Sequence, residues 1–92
     1  MSAIEIYGVT ANREMDIALG NFVEIMGTKL WENRHKKTVE EVDVPRMMEL
    51  LMREVGEFIR QYMEDKTAPN LHEELADIAN FAFLIYMASV KR

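Results

Sequence analysis

The fold of this chain is decided by residues 43–91, which read DVPRMMELLMREVGEFIRQYMEDKTAPNLHEELADIANFAFLIYMASVK. Apolar residues recur there at intervals of three and four, which is the spacing of side chains along one face of an α-helix. The pattern predicts one helix over residues 43–64 and another over residues 70–91, separated by a break at 65–69. A link this short makes the two helices antiparallel neighbours.

Each of these two helices opens on a start signal. Asp43 is a good N-cap, and Pro45 falls in the first turn, where its missing N–H removes no helical hydrogen bond. Asn70 precedes the last helix and Glu73 follows three residues later, which is the spacing of a capping box. We therefore expect Asn70 and Glu73 to satisfy the first backbone N–H groups of that helix.

A further helix is predicted upstream of this hairpin. It opens near Thr10 or Asn12, either of which can cap it, and it fades where the sequence turns polar over residues 31–37. Residues 38–43 are expected to form a connecting loop. Residues 1–9 alternate weakly and are expected to form a short extended arm or a frayed terminus.

The predicted fold class is all-α, an antiparallel helical bundle of about three main helices, with residues 1–92 as a single domain. From Ile78 onward the last helix is apolar on nearly every side. Two partner helices cannot cover a helix all round, so we expect a second copy to complete the core. The expected state is a homodimer or a tetramer built as a dimer of dimers.

Composition excludes several classes of function. The chain has 11 basic and 16 acidic residues, and its formal net charge of −5 is opposite to that of proteins that neutralise nucleic-acid phosphates. Cysteine is absent, which excludes disulfides, thiolate metal sites and cysteine nucleophiles. The sequence contains neither a signal-peptide pattern nor an apolar run long enough to span a bilayer. We expect a cytoplasmic protein that binds neither nucleic acid nor membrane.

Two acidic pairs stand out, because residues three apart share one face of a helix. Composition alone gives about three such pairs in a chain with this acidic content, and three are present, so the spacing is no enrichment. The setting is more informative, since two of the pairs lie beside apolar stripes, where like charges repel and resist desolvation. We call their members the acidic quartet: Glu54, Glu57, Glu74 and Asp77.

Two interpretations of the acidic quartet are open at this point. Oxygen-only ligands favour a hard cation such as Mg²⁺, which would neutralise carboxylates that converge across the hairpin. Alternatively, these are solvated helix-face charges that form ordinary salt bridges to Arg53, Arg60 or Lys66. Spacing and setting leave the two interpretations about equally supported.

The motif itself resembles that of a known family. Glu54-Val-Gly-Glu57, followed by Glu74-Leu-Ala-Asp77-Ile78, is similar to the ExxE…ExxD signature of the MazG-like, all-α nucleoside triphosphate pyrophosphatases. Upstream, Leu30-Trp31-Glu32-Asn33-Arg34-His35 resembles the Trp-Glu-x-x-His segment of the dCTP pyrophosphatase branch. The resemblance covers roughly residues 15–90. One departure is a longer connection between His35 and Glu54.

The resemblance implies a hydrolase that cleaves a ribo- or deoxyribonucleoside triphosphate between its α and β phosphates, releasing a monophosphate and pyrophosphate. It implies that the acidic quartet holds two or more Mg²⁺ ions, for which Mn²⁺ can substitute, and that one carboxylate aligns the attacking water. The implied partner is a nucleoside triphosphate.

Five further residues are candidates to bind the substrate. Asn80 continues the face of Glu74 and Asp77, and a buried core amide is the alternative. Basic residues could neutralise the outer phosphates, and the alternative is that they form a solvated patch. An aromatic residue could stack on the base, and the alternative is ordinary packing. These candidates are Asn80, Lys36, Lys37, Arg53 and Trp31.

Two rival classes use the same sequence features differently. A di-iron four-helix protein needs two Glu-x-x-His motifs, whereas Glu32 and His35 form one, and Pro69 stands three residues before His72. A non-enzymatic helical adaptor dimer would share the apolar last helix and treat the acidic residues as surface charge. Only the adaptor is kept as an alternative.

Overall fold

The computed structural model describes residues 4–34 and 43–90 and contains three helices, α1 (Arg13–Glu32), α2 (Val44–Glu64) and α3 (Leu71–Val90). All regular structure in these residues is helical, which confirms the all-α prediction. The first residues of the predicted arm, the predicted loop at 38–42 and the end of the last helix at Lys91 lie outside the described residues.

Two of the predicted helix starts are confirmed. The side chain of Asn12, and not that of Thr10, caps α1 by accepting a hydrogen bond from the Met15 backbone N–H at 3.0 Å. The side chain of Asp43 caps α2, with Pro45 in its first turn as expected. These two helices begin where a polar side chain replaces the missing backbone acceptors.

The capping box predicted at the start of α3 is wrong. The side-chain amide nitrogen of Asn70 donates to Glu74 Oε1 at 3.2 Å. The Asn70 side chain thus bonds to Glu74, the residue that follows the predicted partner Glu73. The Glu73 carboxylate instead lies 3.9 Å from the Lys29 ammonium on α1. A charged partner on a neighbouring helix has replaced the local hydrogen bond that a capping box would form.

Helix α3 lies between the other two helices. It packs against α2 across the short hairpin link and against α1, whereas within the described residues no Cα atoms of α1 and α2 come within 8 Å of each other. The amide nitrogen of Asn80 donates to the Met26 carbonyl at 3.1 Å, fixing where α1 meets α3. Together with the Lys29–Glu73 pair, this contact shows that α1 runs antiparallel to α3.

The apolar core is small. Among the described residues, the buried hydrophobic side chains are Met47, Leu71 and Ala76, and no large side chain is fully buried. A bundle of this size normally hides more apolar surface than that. The described helices therefore leave many large hydrophobic residues exposed. None of these helices combines the length and hydropathy needed to cross a bilayer.

The segment before α1 is held in place by a buried carboxylate. Asp16, only 3% exposed, accepts hydrogen bonds from the backbone N–H groups of Gly8 and Thr10, at 2.9 and 3.0 Å, and from the Thr10 hydroxyl at 2.8 Å. These bonds, that from the Thr10 side chain first, hold the pKa of Asp16 below its ordinary value. The Ile4 backbone then lies directly against Gly20, where a Cβ atom would collide with it.

Candidate functional site

The α2–α3 hairpin brings the other three carboxylates of the acidic quartet within electrostatic range of Glu54. Glu54 is half-buried, and its pKa is raised above the ordinary value, first by burial and then by the negative charges of Glu57, Asp77 and Glu74. Each of the other three carboxylates therefore repels the Glu54 charge. Two of them belong to α3, so the repulsion acts across the hairpin as well as along α2.

The basic side chains that the structure describes do not neutralise these carboxylates by direct pairing. In residues 4–34 and 43–90, no ion pair involves a member of the acidic quartet. Arg60 pairs with Glu64 at 3.4 Å. Arg53 acts on Glu54 only through its nearby charge, which opposes the rise in the Glu54 pKa without reversing it.

Asp77 connects the acidic quartet to α1. Its pKa is raised mainly by burial, while the positive charge of Lys29 lowers it and the negative charges of Glu73 and Glu32 raise it further. Lys29 is itself engaged with Glu73 at 3.9 Å. One cation is thus shared among several carboxylates, and the positive charge of Lys29 does not offset the rise in the Asp77 pKa.

The two carboxylate oxygens of Glu74 differ in their hydrogen bonding. Its Oε1 accepts the hydrogen bond from Asn70, whereas its Oε2 is buried and accepts no hydrogen bond from the residues that the structure describes. A buried, unpaired carboxylate oxygen costs free energy unless a donor or a cation completes its coordination. This orphaned oxygen, together with the repulsion at Glu54, fits a set of ligands for a hard cation.

The side chains as placed do not yet enclose an ion. Across the described parts of the chain, no three carboxylate or imidazole groups lie close enough together to coordinate one metal ion. Binding would therefore require side-chain rotation. Glu57 has the room for such rotation because it is exposed on α2, while Glu54, Glu74 and Asp77 are partly buried.

A cavity of about 400 Å³ adjoins the acidic quartet through Asp77. Its walls are mainly apolar, with two cations and two amides among them, which is the character of many small-molecule sites. It opens between the end of α1, the start of α2 and the middle of α3. Its lining consists of Lys29, Leu30, Asn33, Arg34, Met47, Asp77, Asn80, Phe81 and Leu84.

Asn80 is the predicted substrate-binding residue that lines this cavity. It is 7% exposed, and its amide nitrogen donates to the Met26 carbonyl. Its carbonyl oxygen Oδ1 is buried and has no hydrogen-bond donor among residues 4–34 and 43–90. Asn80 is therefore a buried amide, as the alternative interpretation held, but one whose acceptor is left unused.

The other predicted substrate-binding residues lie elsewhere. Trp31 is 65% exposed on the last turn of α1, outside the cavity lining, and the Arg34 guanidinium lies 3.7 Å from its ring centroid. Arg53 is exposed on α2 and does not line the cavity either. Lys36 and Lys37 lie outside the described residues.

Three polar residues of the cavity were not singled out from the sequence: Lys29, Asn33 and Arg34. They belong to the last turn of α1 and the two residues after it, where the sequence indicates only a polar helix end. Their position depends on how α1 crosses α3, and side-chain packing, not hydropathy spacing, sets such a crossing.

Comparison with family models, with curated proteins and with solved structures finds no match for this chain. A proposal about its function therefore rests on the acidic quartet and on the cavity beside it.

Proposed function

We propose that this protein is a Mg²⁺-dependent nucleoside triphosphate pyrophosphatase, which hydrolyses a ribo- or deoxyribonucleoside triphosphate to the monophosphate and pyrophosphate. The observation that supports this proposal most is the half-buried Glu54, which three other carboxylates repel and which no cation of residues 4–34 or 43–90 pairs with. Such an arrangement lowers the stability of the free protein, and a protein gains from it when the carboxylates bind dications.

The acidic quartet would hold the metal ions. Mg²⁺, or Mn²⁺ in its place, would supply positive charge between the carboxylates and the phosphates and would lower the pKa of a bound water. This bridging matters because a triphosphate would otherwise be repelled by a protein of net charge −5. Two or more ions are expected, since four carboxylates exceed what one partly hydrated Mg²⁺ takes from a protein.

The adjoining cavity would hold the nucleoside. Asp77 belongs both to the acidic quartet and to the cavity wall, so a nucleotide seated in the cavity could extend its phosphates past Asp77 towards the other carboxylates. Lys29 and Arg34, on the same wall, are placed to offset negative charge on the ligand. Apolar side chains from all three helices would exclude water from the base.

The active form is a homodimer or a dimer of dimers. The exposed apolar surface supports this, because Met48, Met52, Ile59 and Met63 are all exposed and lie on one face of α2. A second copy of the chain would cover this face and enlarge the core. Under the alternative function, a non-enzymatic helical adaptor would dimerise through the same surface.

The test is a pyrophosphate-release assay over the canonical nucleoside triphosphates, with and without Mg²⁺. We expect Mg²⁺-dependent release from at least one nucleotide, and a loss of at least about a hundredfold in turnover in Glu54→Gln and in Asp77→Asn. Helical content should survive in both variants. Glu49→Gln is the matched control, because Glu49 lies on the same helix, is exposed and pairs with Arg46 outside the acidic quartet.

Wild-type turnover in both site variants would refute the role of the acidic quartet. An adaptor would release no pyrophosphate from any nucleotide, and its thermal stability would not respond to Mg²⁺.

A further inference from the structure

A second cavity, of about 320 Å³, lies at the turn of the α2–α3 hairpin. Its apolar walls include Phe58 and Tyr62 from the last turns of α2, and Leu71 and Leu75 from the first turns of α3. The Phe58 and Tyr62 rings are stacked, with their centroids 5.9 Å apart and their planes at 27°. Apolar and aromatic walls of this kind favour the binding of a planar apolar ring.

The charge in the lining of this cavity is positive. Lys66 and His72 belong to the lining, and no carboxylate does. The Lys66 ammonium lies 5.9 Å from the centroid of the Tyr62 ring, at the outer limit of a cation–π contact. Within residues 4–34 and 43–90, Lys66 forms no ion pair. A protein of net charge −5 thus keeps an unpaired cation beside an aromatic wall.

The carboxylates that flank these two basic residues in the sequence are engaged with other groups. Asp65 accepts hydrogen bonds from the Thr67 backbone N–H at 2.9 Å and from the Thr67 hydroxyl at 2.7 Å. The other two carboxylates lie beside basic residues outside the cavity. These pairs are Glu64 with Arg60 at 3.4 Å and Glu73 with Lys29 at 3.9 Å.

We propose that this cavity is a binding site for a small aromatic carboxylate, whose ring contacts the apolar walls and whose carboxylate accepts hydrogen bonds from Lys66 and His72. An ammonium group carries three N–H donors, and an imidazole N–H supplies another. Both side chains are exposed, so they have room to turn towards a bound anion. The proposal does not rest on the proposed function, because no member of the acidic quartet lines this cavity.

The expected selectivity requires the ring and the charge together. The ring supplies the apolar area that leaves water, and the carboxylate supplies the attraction to Lys66. Opposite charges attract more strongly beside an apolar wall than in bulk water. A neutral ligand of the same shape should therefore bind about tenfold more weakly than the carboxylate.

The experiment titrates the whole protein with 2-naphthoate and, separately, with its neutral analogue 2-naphthamide. Heteronuclear NMR measures the affinity and locates the site in one titration. EDTA is present, so that the metal-free acidic quartet repels anions from the cavity beside it. We expect 2-naphthoate to bind with a Kd of about 1 mM or lower, and 2-naphthamide to bind about tenfold more weakly. The largest shifts should fall on the backbone amides of Lys66, Thr67 and His72.

Variants separate the contribution of the charge from that of the ring. Lys66→Gln should weaken 2-naphthoate about tenfold and leave 2-naphthamide unchanged. Tyr62→Ser should weaken both ligands, because it removes part of the aromatic wall. Arg46→Gln is the control, since it changes the net charge by the same amount at a residue outside the cavity lining. The two ligands compared on the wild type decide the question even if a variant does not fold.

Equal affinity of the wild type for the two ligands would overturn the inference, and so would an absence of binding up to about 10 mM. Unchanged affinity for 2-naphthoate in Lys66→Gln would also overturn it, as would shifts confined to the cavity that Lys29 and Arg34 line. None of these results bears on pyrophosphate release, so the proposed function stands or falls separately.

Discussion

Glu54 is a half-buried carboxylate whose charge is opposed by three neighbours. Because its pKa is raised in the folded protein, the folded state binds this proton more tightly than the unfolded chain does. Its unfavourable contribution is absent at pH values below the ordinary glutamate pKa of 4.5 and develops as the pH rises through the higher folded value. Asp16 has a lowered pKa, so its favourable contribution is lost as the pH falls.

Glu54→Gln should therefore stabilise the metal-free protein. In EDTA, we expect the variant to melt a few degrees above the wild type near pH 7, with the difference shrinking as the pH falls to about 4. The comparison of variant with wild type cancels the contribution of Asp16, which both proteins share. Thermal unfolding followed by circular dichroism across this range is the measurement. A variant less stable than the wild type at neutral pH in EDTA would show that Glu54 is a structural residue.

At the scale of single residues, the sequence locates charges better than it locates hydrogen bonds. The three-residue spacing within Glu54/Glu57 and within Glu74/Asp77 predicted that each pair shares a helix face, and the charges of Glu57, Glu74 and Asp77 all act on Glu54. Asp16 was not predicted, because its partners Gly8 and Thr10 lie in an irregular segment with no periodicity. The orientation of the Asn80 amide depends on its hydrogen bond to α1, and no local sequence pattern predicts that bond.

Helix α1 contains two glycines in contrasting surroundings. Gly20 is buried against the backbone of Ile4, whereas a Cβ added at Gly27 would meet nothing within 4 Å. Glycine in a helix interior costs about 0.5–1 kcal/mol relative to alanine, so alanine is favoured wherever space allows. The close approach at Gly20 overrides this preference, because the segment before α1 can pack there only without a side chain.

Gly27→Ala should stabilise the protein by about 0.5–1 kcal/mol, and Gly20→Ala should destabilise it. The loss at Gly20 arises because the new methyl group displaces the Ile4 backbone from α1. Urea unfolding of both variants measures the free-energy differences, and limited proteolysis near residue 4 reports release of the segment. Equal effects of the two substitutions would contradict the packing described here.

At the scale of the helices, caps and apolar spacing predicted the elements well. Asn12 and Asp43 begin α1 and α2 as their side-chain chemistry requires, and α1 ends at Glu32, within the range where its pattern fades. At the start of α3, the predicted hydrogen-bond partner of the Asn70 side chain was wrong. A capping box is a local rule, and the tertiary pair of Glu73 with Lys29 overrides it.

At the scale of the whole molecule, the described helices expose more apolar surface than a stable small monomer usually does. The side chains of Met52 and Met63 are 73% and 76% exposed on α2, and Tyr86 is 61% exposed on α3. Patches of this kind mark interaction surfaces. The apolar sequence of α3 predicted that one chain would leave part of this helix uncovered. The structure shows a second exposed apolar surface, on one face of α2.

Light scattering coupled to size exclusion should therefore give the mass of a homodimer or a tetramer for the wild type. The double substitution Met52→Lys and Ile59→Lys should shift the protein towards monomer and lower its melting temperature, since it places charges in the middle of the α2 face. Met15→Lys, at an exposed position of α1, is the control and should leave the mass unchanged. A wild-type protein that is monomeric and thermally stable at micromolar concentration would contradict the proposed assembly.

At the scale of the whole chain, the three helices and the hairpin could be predicted, but the cavity could not. Spacing fixes which residues share a helix face, and a short link fixes that α2 and α3 are antiparallel. The path of α1 across α3 depends on particular side-chain contacts, such as that of Asn80 with Met26. Lys29, Asn33 and Arg34 join the site only through that crossing.

Calorimetric titration of the metal-free protein with Mn²⁺ tests most directly whether the four carboxylates act as one cation site. We expect the wild type and Glu49→Gln to bind two or more ions per chain, and the double variant Glu54→Gln, Asp77→Asn to lose at least about tenfold in affinity. Equal binding by the double variant, or no binding by the wild type, would contradict a metal site between α2 and α3.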